Sequence, residues 1–301
     1  TTVTNSDFVI VINQLDRSNM LRCWRTVLPA LSYSTATSGG TTRMVQEKGV
    51  RTITLCDAKT RNSLSLSTIN AIINHMTLNN EDPGLRCIVL RAEGPVFSSG
   101  HNLKEFDSTK KGTEEQREVF AACTRLMLQV VEAPVPVVAV VNGLAAAAGC
   151  QLVAQCDIAL CTPNSTFSTP GASFGLFCST PGIAVARTVN RKMALRMLLT
   201  GLPITAEEAH LAGLVSKVVP AESLDNELKV ITDAIESKSR AVISLGKKFF
   251  YQQIERDLHT AYQLGEETMV KNLSLRDGQE GIKSFIEKRK PTWEHSSINK
   301  S

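Results

Sequence analysis

The strongest constraint on this chain is the run Val135-Pro136-Val137-Val138-Ala139-Val140-Val141, which holds no charge and no polar side chain. A strand with one wet face alternates apolar and polar residues. A strand that is apolar throughout is covered on both faces, as in a parallel sheet wrapped by helices. The run stops at Asn142-Gly143 and passes through Leu144-Ala145-Ala146-Ala147-Ala148-Gly149 into a helix expected to reach about Gln155. The fold class is therefore α/β. The small residues at that turn leave backbone N–H groups open to a ligand atom.

The strand-then-helix alternation recurs along the chain. Arg51 to Cys56 alternates like a strand, and Leu64 to Leu78 carries apolar residues at helical spacing. Arg86 to Arg91 reads as a strand, Glu114 to Val131 as a helix and Asp157 to Cys161 as another strand. Helices follow at Met193 to Leu199 and Thr205 to Ala212; Gly213 stops the second, and Leu214 to Val219 is a short strand ending at Pro220. From Ala221 to Lys290 the pattern is helical throughout. Runs of ββα units before a helical tail divide the chain into an N-terminal extension over 1–45, an α/β core over 46–220 and a C-terminal helical region over 221–295.

Charge excludes some partners. A net charge of +4 permits attraction to phosphate-bearing ligands, but no basic stripe interleaved with aromatics argues for nucleic acid. The longest apolar run is too short, and too interrupted by Pro136 and Asn142, for a membrane span. The eight cysteines form no C-x-x-C pair and no zinc spacing, so they are expected reduced and mostly buried, with no metal site. From Met20 the chain is rich in Ser and Thr, carries Arg22 and Arg25 among apolar residues and has no acid before Glu47. That is the composition of a mitochondrial transit peptide, which places the natural start at Met20, residues 1–19 as upstream sequence, and the mature protein in the matrix.

A second stretch has the character of the first. Phe97-Ser98-Ser99-Gly100-His101-Asn102-Leu103-Lys104-Glu105 also turns from an extended run into a helical one through small residues. Two such backbone N–H groups aimed at one oxygen make an oxyanion hole. Neither stretch sets a carboxylate, a histidine base or a cysteine in an obvious catalytic relation to that hole.

With Cys156-Asp157, Thr200-Gly201 through Ala209, Ala212-Gly213-Leu214-Val215, Glu280-Gly281 through Phe285 and Lys288-Arg289-Lys290-Pro291 following in order, the chain resembles the crotonase (enoyl-CoA hydratase/isomerase) superfamily over about 48–295. Gly94 to His101 and Gly175 to Gly182 bring it nearest a mitochondrial branch of that family. The resemblance implies a right-handed spiral of ββα turns (ClpP/crotonase-like) with a C-terminal helical trimerisation region, assembled as homotrimers or hexamers. It implies an acyl-CoA thioester as ligand and no separate cofactor, coenzyme A being part of the substrate. The matching oxyanion donors are the N–H groups of His101 and Ala148. The backbone from Ser99 through Asn102 to Leu103 is expected to cradle adenine. Lys59 and Lys104 are expected near the phosphates, and Lys288 to reach CoA from the same or a neighbouring subunit.

The pattern breaks at the proton-transfer positions. Hydratases of the family use two glutamates, and these fall on Gln151 and Gly171. An amide is not basic, and glycine offers no group at all. Each positioned acid or base contributes typically ~10²–10⁴-fold, so true hydratase activity is not expected. The aspartate of related dienoyl isomerases aligns with Ser179, so it too is missing. Three functions stay open: a repurposed acyl-CoA enzyme of mitochondrial lipid metabolism, a decarboxylase or thioesterase using the oxyanion hole alone, or a non-catalytic acyl-CoA binding or regulatory protein. If missing carboxylates are the sole defect, Gln151→Glu with Gly171→Glu is expected to restore hydration. The His101 ring is expected to be incidental, Cys178 to pack and Asp157 to make structural hydrogen bonds.

Overall fold

The computed structural model describes residues 33–35 and 40–296, so the transit-peptide reading of the N-terminus lies outside the described residues. In chain order the elements are β1 (Tyr33–Thr35), β2 (Thr42–Glu47), β3 (Val50–Leu55), α1 (Leu66–Thr77), β4 (Cys87–Ala92), β5 (Val96–Ser98), α2 (Thr113–Glu132), β6 (Val137–Val141), β7 (Leu144–Ala146), α3 (Ala148–Gln155), β8 (Ile158–Cys161) and β9 (Thr166–Ser168). They continue as α4 (Ser179–Thr188), α5 (Arg191–Thr200), β10 (Ile204–Thr205), α6 (Ala206–Ala212), β11 (Lys217–Val218), α7 (Leu224–Glu236), α8 (Arg240–Gln253), α9 (Leu258–Ser274) and α10 (Arg276–Ile286).

Two sheets alternate along the chain. The larger runs in the order β1-β2-β3-β4-β6-β8-β11, parallel from β3 onward. The smaller runs β10-β9-β7-β5, with β5, β7 and β9 parallel. Each pair β4/β5, β6/β7 and β8/β9 thus gives one strand to each sheet before the chain moves on, which is a spiral of ββα turns.

Every residue of β6 is buried, as its unbroken apolar sequence requires. Val138 and Val140 face one way, with Cys87, Val89 and Leu160, and are covered by Leu224, Leu228 and Ile231 of α7. Val137 faces the other way with Ile88 and Leu90, under Ile69 and Ile72 of α1 and Leu126 and Val130 of α2. Further along that face Ala139 and Val141 meet Phe97, Ala145 and Phe167 of the smaller sheet. Each fully buried Val or Leu side chain is worth about 1.5–3 kcal/mol. β2 joins the large sheet with Met44 in the core, and α7, the first helix of the C-terminal helical region, covers that sheet.

Asp157 fastens α8 to this core, in the structural role expected of it. Its Oδ2 accepts from Val137 N–H at 2.6 Å and Lys247 Nζ at 2.7 Å, and its Oδ1 accepts from the Tyr251 hydroxyl at 2.8 Å. Lys247 also donates to the carbonyls of Val130 and Val135. Beyond this anchor α8 and α9 leave Phe250, Ile254, Leu258, Tyr262, Met269 and Val270 exposed. Among the described residues no helix is long and apolar enough to cross a membrane.

Candidate functional site

The two small-residue stretches meet. Gly100 has φ +90°, and a Cβ built on it would lie 2.8 Å from Ala147 Cβ, 2.9 Å from Ala146 O and 3.2 Å from Ala148 N. A Cβ on Gly149 would lie 2.7 Å from both Cβ and O of Ser98. Only glycine fits at either place, so the loop after β5 is pressed directly onto the turn between β7 and α3. Ser98 braces the contact, donating through its hydroxyl to Asn62 O at 2.8 Å and accepting from Gly100 N–H at 3.2 Å.

Ala147 carries the turn at φ +49°, ψ −118°, a conformation costing a side-chain-bearing residue about 1–3 kcal/mol. It is held there at both ends: its N–H donates to Ser168 O, and its carbonyl accepts from Gln151 N–H, each at 2.9 Å. The first N–H groups of a helix have no acceptor inside it, and the macrodipole gives them positive potential. Among the described residues, no acceptor takes the N–H of Ala148 or of His101. Two unclaimed donors therefore flank the Gly100–Ala147 contact.

The His101 ring turns away from this contact's backbone into an aromatic box. It stands edge-on to Phe106 and Phe120, with ring centroids 5.5 Å apart in both cases, and those two rings stack at 4.8 Å. Burial holds the imidazole below its ordinary pKa, partly opposed by the bond to Leu64 O, and no carboxylate contributes. Nδ1 lies 3.3 Å from Leu64 O and so carries the proton, which leaves Nε2 as a buried acceptor without a partner.

Gln151, on the first turn of α3, is 5% exposed, and its Oε1 has no hydrogen-bond partner. Gly171 lies in the 3₁₀ turn Pro170–Phe174. A Cβ there would stand 2.3 Å from Leu176 O and 2.7 Å from Cys178 Sγ. The loop is closed by Leu176 N–H donating to Gly171 O and Gly171 N–H donating to Cys178 Sγ. A side chain at position 171 would therefore meet backbone, which bears against the expected rescue by two glutamates. Cys178 packs as expected, and burial pushes its thiol above the ordinary range. Ser179 is exposed, and its hydroxyl reaches only Phe177 O.

Five residues of the expected CoA end come together. Ser99 N–H donates to Arg61 O at 3.0 Å and its hydroxyl to Thr60 O, which joins the Ala58–Thr60 turn bearing Lys59 to the Ser99–Lys104 loop. Asn102 Oδ1 accepts from Lys104 N–H and starts the 3₁₀ turn Leu103–Phe106. Lys59, Leu103 and Lys104 are exposed, and neither lysine is in an ion pair among the described residues. Lys288 sits just past α10, exposed, with no hydrogen bond or ion pair to these loops among the described residues. Sequence reasoning missed two residues here. Glu105 caps α1 from afar, its carboxylate accepting from Leu66 N–H at 3.1 Å, and Thr169 keeps a hydroxyl wholly buried and unpartnered.

Residues 45–296 match the profile of the enoyl-CoA hydratase/isomerase family. The chain is 53% identical over 253 residues to the Homo sapiens protein called enoyl-CoA hydratase domain-containing protein 3, mitochondrial, covering 84% of this chain and 83% of that one. The Danio rerio protein of the same name is 44% identical over 279 residues, 93% of this chain and 96% of that one. The crystal structure of the human protein, at 52% identity, aligns with a TM-score of 0.83 over 84% of this chain and 100% of that chain.

Proposed function

This chain belongs to the enoyl-CoA hydratase/isomerase family and has the crotonase-type fold; from that premise we propose that it is a mitochondrial acyl-CoA-binding protein that grips a thioester carbonyl without hydrating the acyl chain. The observation that carries the reading is the pair of unclaimed N–H groups, His101 and Ala148, on either side of the Gly100–Ala147 contact. Both would donate to the thioester oxygen, with the α3 dipole adding to the potential at Ala148. A carbonyl so held has its α-carbon acidified toward an enolate, and one such donor is worth ~10²–10³-fold in enzymes that use it.

Proton movement is the missing half. Gln151 offers an amide, position 171 has room for no side chain, and the neutral His101 ring is tied to Leu64 O. Two positioned acid–base groups would supply ~10²–10⁴-fold each, and neither is present. The basic Lys59 and Lys104 beside the Ser99–Leu103 backbone support a binding place for the CoA phosphates and adenine, with Lys288 contributing from the C-terminal region. The apolar faces of α8 and α9 support assembly into trimers or pairs of trimers. The mitochondrial names of the human and Danio rerio relatives support the same address here.

Calorimetric titration with butyryl-CoA, run beside a crotonyl-CoA hydration assay, tests the proposal. The expected result is saturable binding with hydration at least ~10⁴-fold below that of a hydratase carrying both glutamates, the loss set by the two missing groups. Hydration at an ordinary rate would refute it, and so would failure of any CoA ester to bind.

A further inference from the structure

Residues 293–295 are strapped across three elements. Trp293 Nε1 donates to Ser237 O at 2.9 Å, Glu294 N–H to Asp277 Oδ1 at 2.8 Å and His295 N–H to Asp277 Oδ2 at 3.0 Å. Asp277, on the first turn of α10, is 1% exposed and also accepts from the Ser239 hydroxyl. One carboxylate thus ties the strap to α10 and to the start of α8. His295 lies at φ +57°, a backbone conformation that a residue with a side chain keeps only where its surroundings enforce it.

The ring of His295 faces donors at both nitrogens. Arg86 Nη1 lies 2.9 Å from Nε2, and the Arg240 backbone N–H points at Nδ1 from 3.3 Å. A guanidinium and a backbone N–H can only donate. Neutral imidazole has a single acceptor nitrogen, which goes to the nearer, charged Arg86; imidazolium has none. Both arginines are fixed: Arg86 also donates to the carbonyls of Glu236 and Lys238, and Arg240 to those of Leu85 and Asn80. The charged groups facing the ring are Arg86, just before β4, Arg240 of α8 and Asp277 of α10. Glu236, ending α7, faces Arg86, and Glu294 beside the ring pairs with Arg276 at 2.9 Å. Burial, then Arg86, hold the imidazole below its ordinary pKa, with Asp277 partly opposing and Arg240 adding to the depression.

We propose that residues 293–295 are a pH-sensitive strap: a proton on His295 removes its one acceptor, adds a positive charge beside Arg86 and Arg240, and frees the segment from the α7–α8 turn and from Asp277. The step is protonation alone, with water as the proton source. Above about pH 6.5 the ring is neutral whether strapped or free, and the strap is indifferent to pH. Below that value the freed ring takes up the proton first. The closed-to-open ratio then falls by up to ~10-fold per pH unit until the strapped ring itself titrates.

Amide hydrogen exchange on the full chain at pH 7.5 and 5.5 tests this, read by mass spectrometry over 290–296 and corrected for the intrinsic pH dependence of exchange. Protection of that segment is expected to drop ~3- to 10-fold at the lower pH while peptides from β6 keep theirs. The amide oxygen of His295→Gln can accept from Arg86 and does not titrate, so its drop is expected to stay under ~2-fold. An NMR titration follows the His295 ring directly, as the one of five histidine resonances that His295→Gln lacks, and is expected to give a pKa below the ordinary 6.5. Equal protection at both pH values, an equal drop in His295→Gln, or a ring titrating at or above about 6.5 overturns the proposal. Parallel loss of protection in β6 overturns it too, since the whole molecule would then be unfolding. If His295→Gln is unprotected at both pH values, the ring titration decides by itself.

Discussion

Two polar regions of this molecule, one before α3 and one after it, are built in opposite ways. At Asp157 both carboxylate oxygens are taken, by Val137 N–H, Lys247 and Tyr251, and Lys247 spends its remaining protons on two carbonyls. Around Ala147 the backbone is strained, the packing admits only glycine, and Gln151, Thr169 and His101 each keep an unanswered atom. Saturated networks hold elements together. Unsaturated ones weaken the free protein, and they make sense where something else completes them.

The comparison predicts unequal responses to removing polar atoms. Lys247→Met strips the counter-charge from a mostly buried carboxylate against the middle of α8, and is expected to cost about 3 kcal/mol in denaturant unfolding. A loss under about 1 kcal/mol would mean that Asp157 is already served by water and that the two regions do not differ in kind. Next in size is Gly171→Glu. Its Cβ would collide with Leu176 O and Cys178 Sγ, so the change is expected to cost about 1–3 kcal/mol and, combined with Gln151→Glu, to yield no hydration of crotonyl-CoA. Recovered hydration in the double variant would show that the 174–177 loop yields readily.

A smaller effect comes from His101. Its folded-state pKa is depressed by burial, whereas the unfolded chain titrates at about 6.5. Above about pH 6.5 both states are neutral and the residue contributes nothing to pH dependence; as pH falls below that value the unfolded state takes up the proton first and stability declines. His75 and His295 are depressed too and act in the same sense. Tm measured from pH 7.5 to 5.5 should therefore fall less in His101→Phe than in the unaltered protein. Identical slopes would place the ring in contact with water. Smallest of all is Thr169→Val, expected to change stability by less than about 1 kcal/mol in either direction, since it removes an atom that bonds to nothing.

Much of the frame was legible in the residues. The unbroken Val137–Val141 run gave a strand covered on both faces, and the helices now bounded as α1, α2 and α5 stood within two residues of where their spacing put them. The smaller sheet was harder to see, because β5, β7 and β9 have three residues each and a period of two cannot declare itself over three positions. Gly100 and Gly149 were readable as places of close approach. What they approach was not, since Ala147 and Ser98 come from other strands. Glu105 caps a helix that begins 39 residues earlier, and no local pattern records such a bond. That Gln151 and Gly171 carry no carboxylate was plain, but the carbonyl of Leu176 standing where a Cβ on Gly171 would go is a fact of folding alone.

Ala147 has one more consequence. A glycine would adopt φ +49° freely, but it would also wander among other conformations, and a ligand would then have to freeze the turn on arrival. Alanine narrows that wandering before any ligand comes. The direction of the next amide is settled when the chain folds, so association at Ala148 forfeits little entropy there, and Ala147→Gly should loosen affinity for CoA esters even while it relaxes the protein itself.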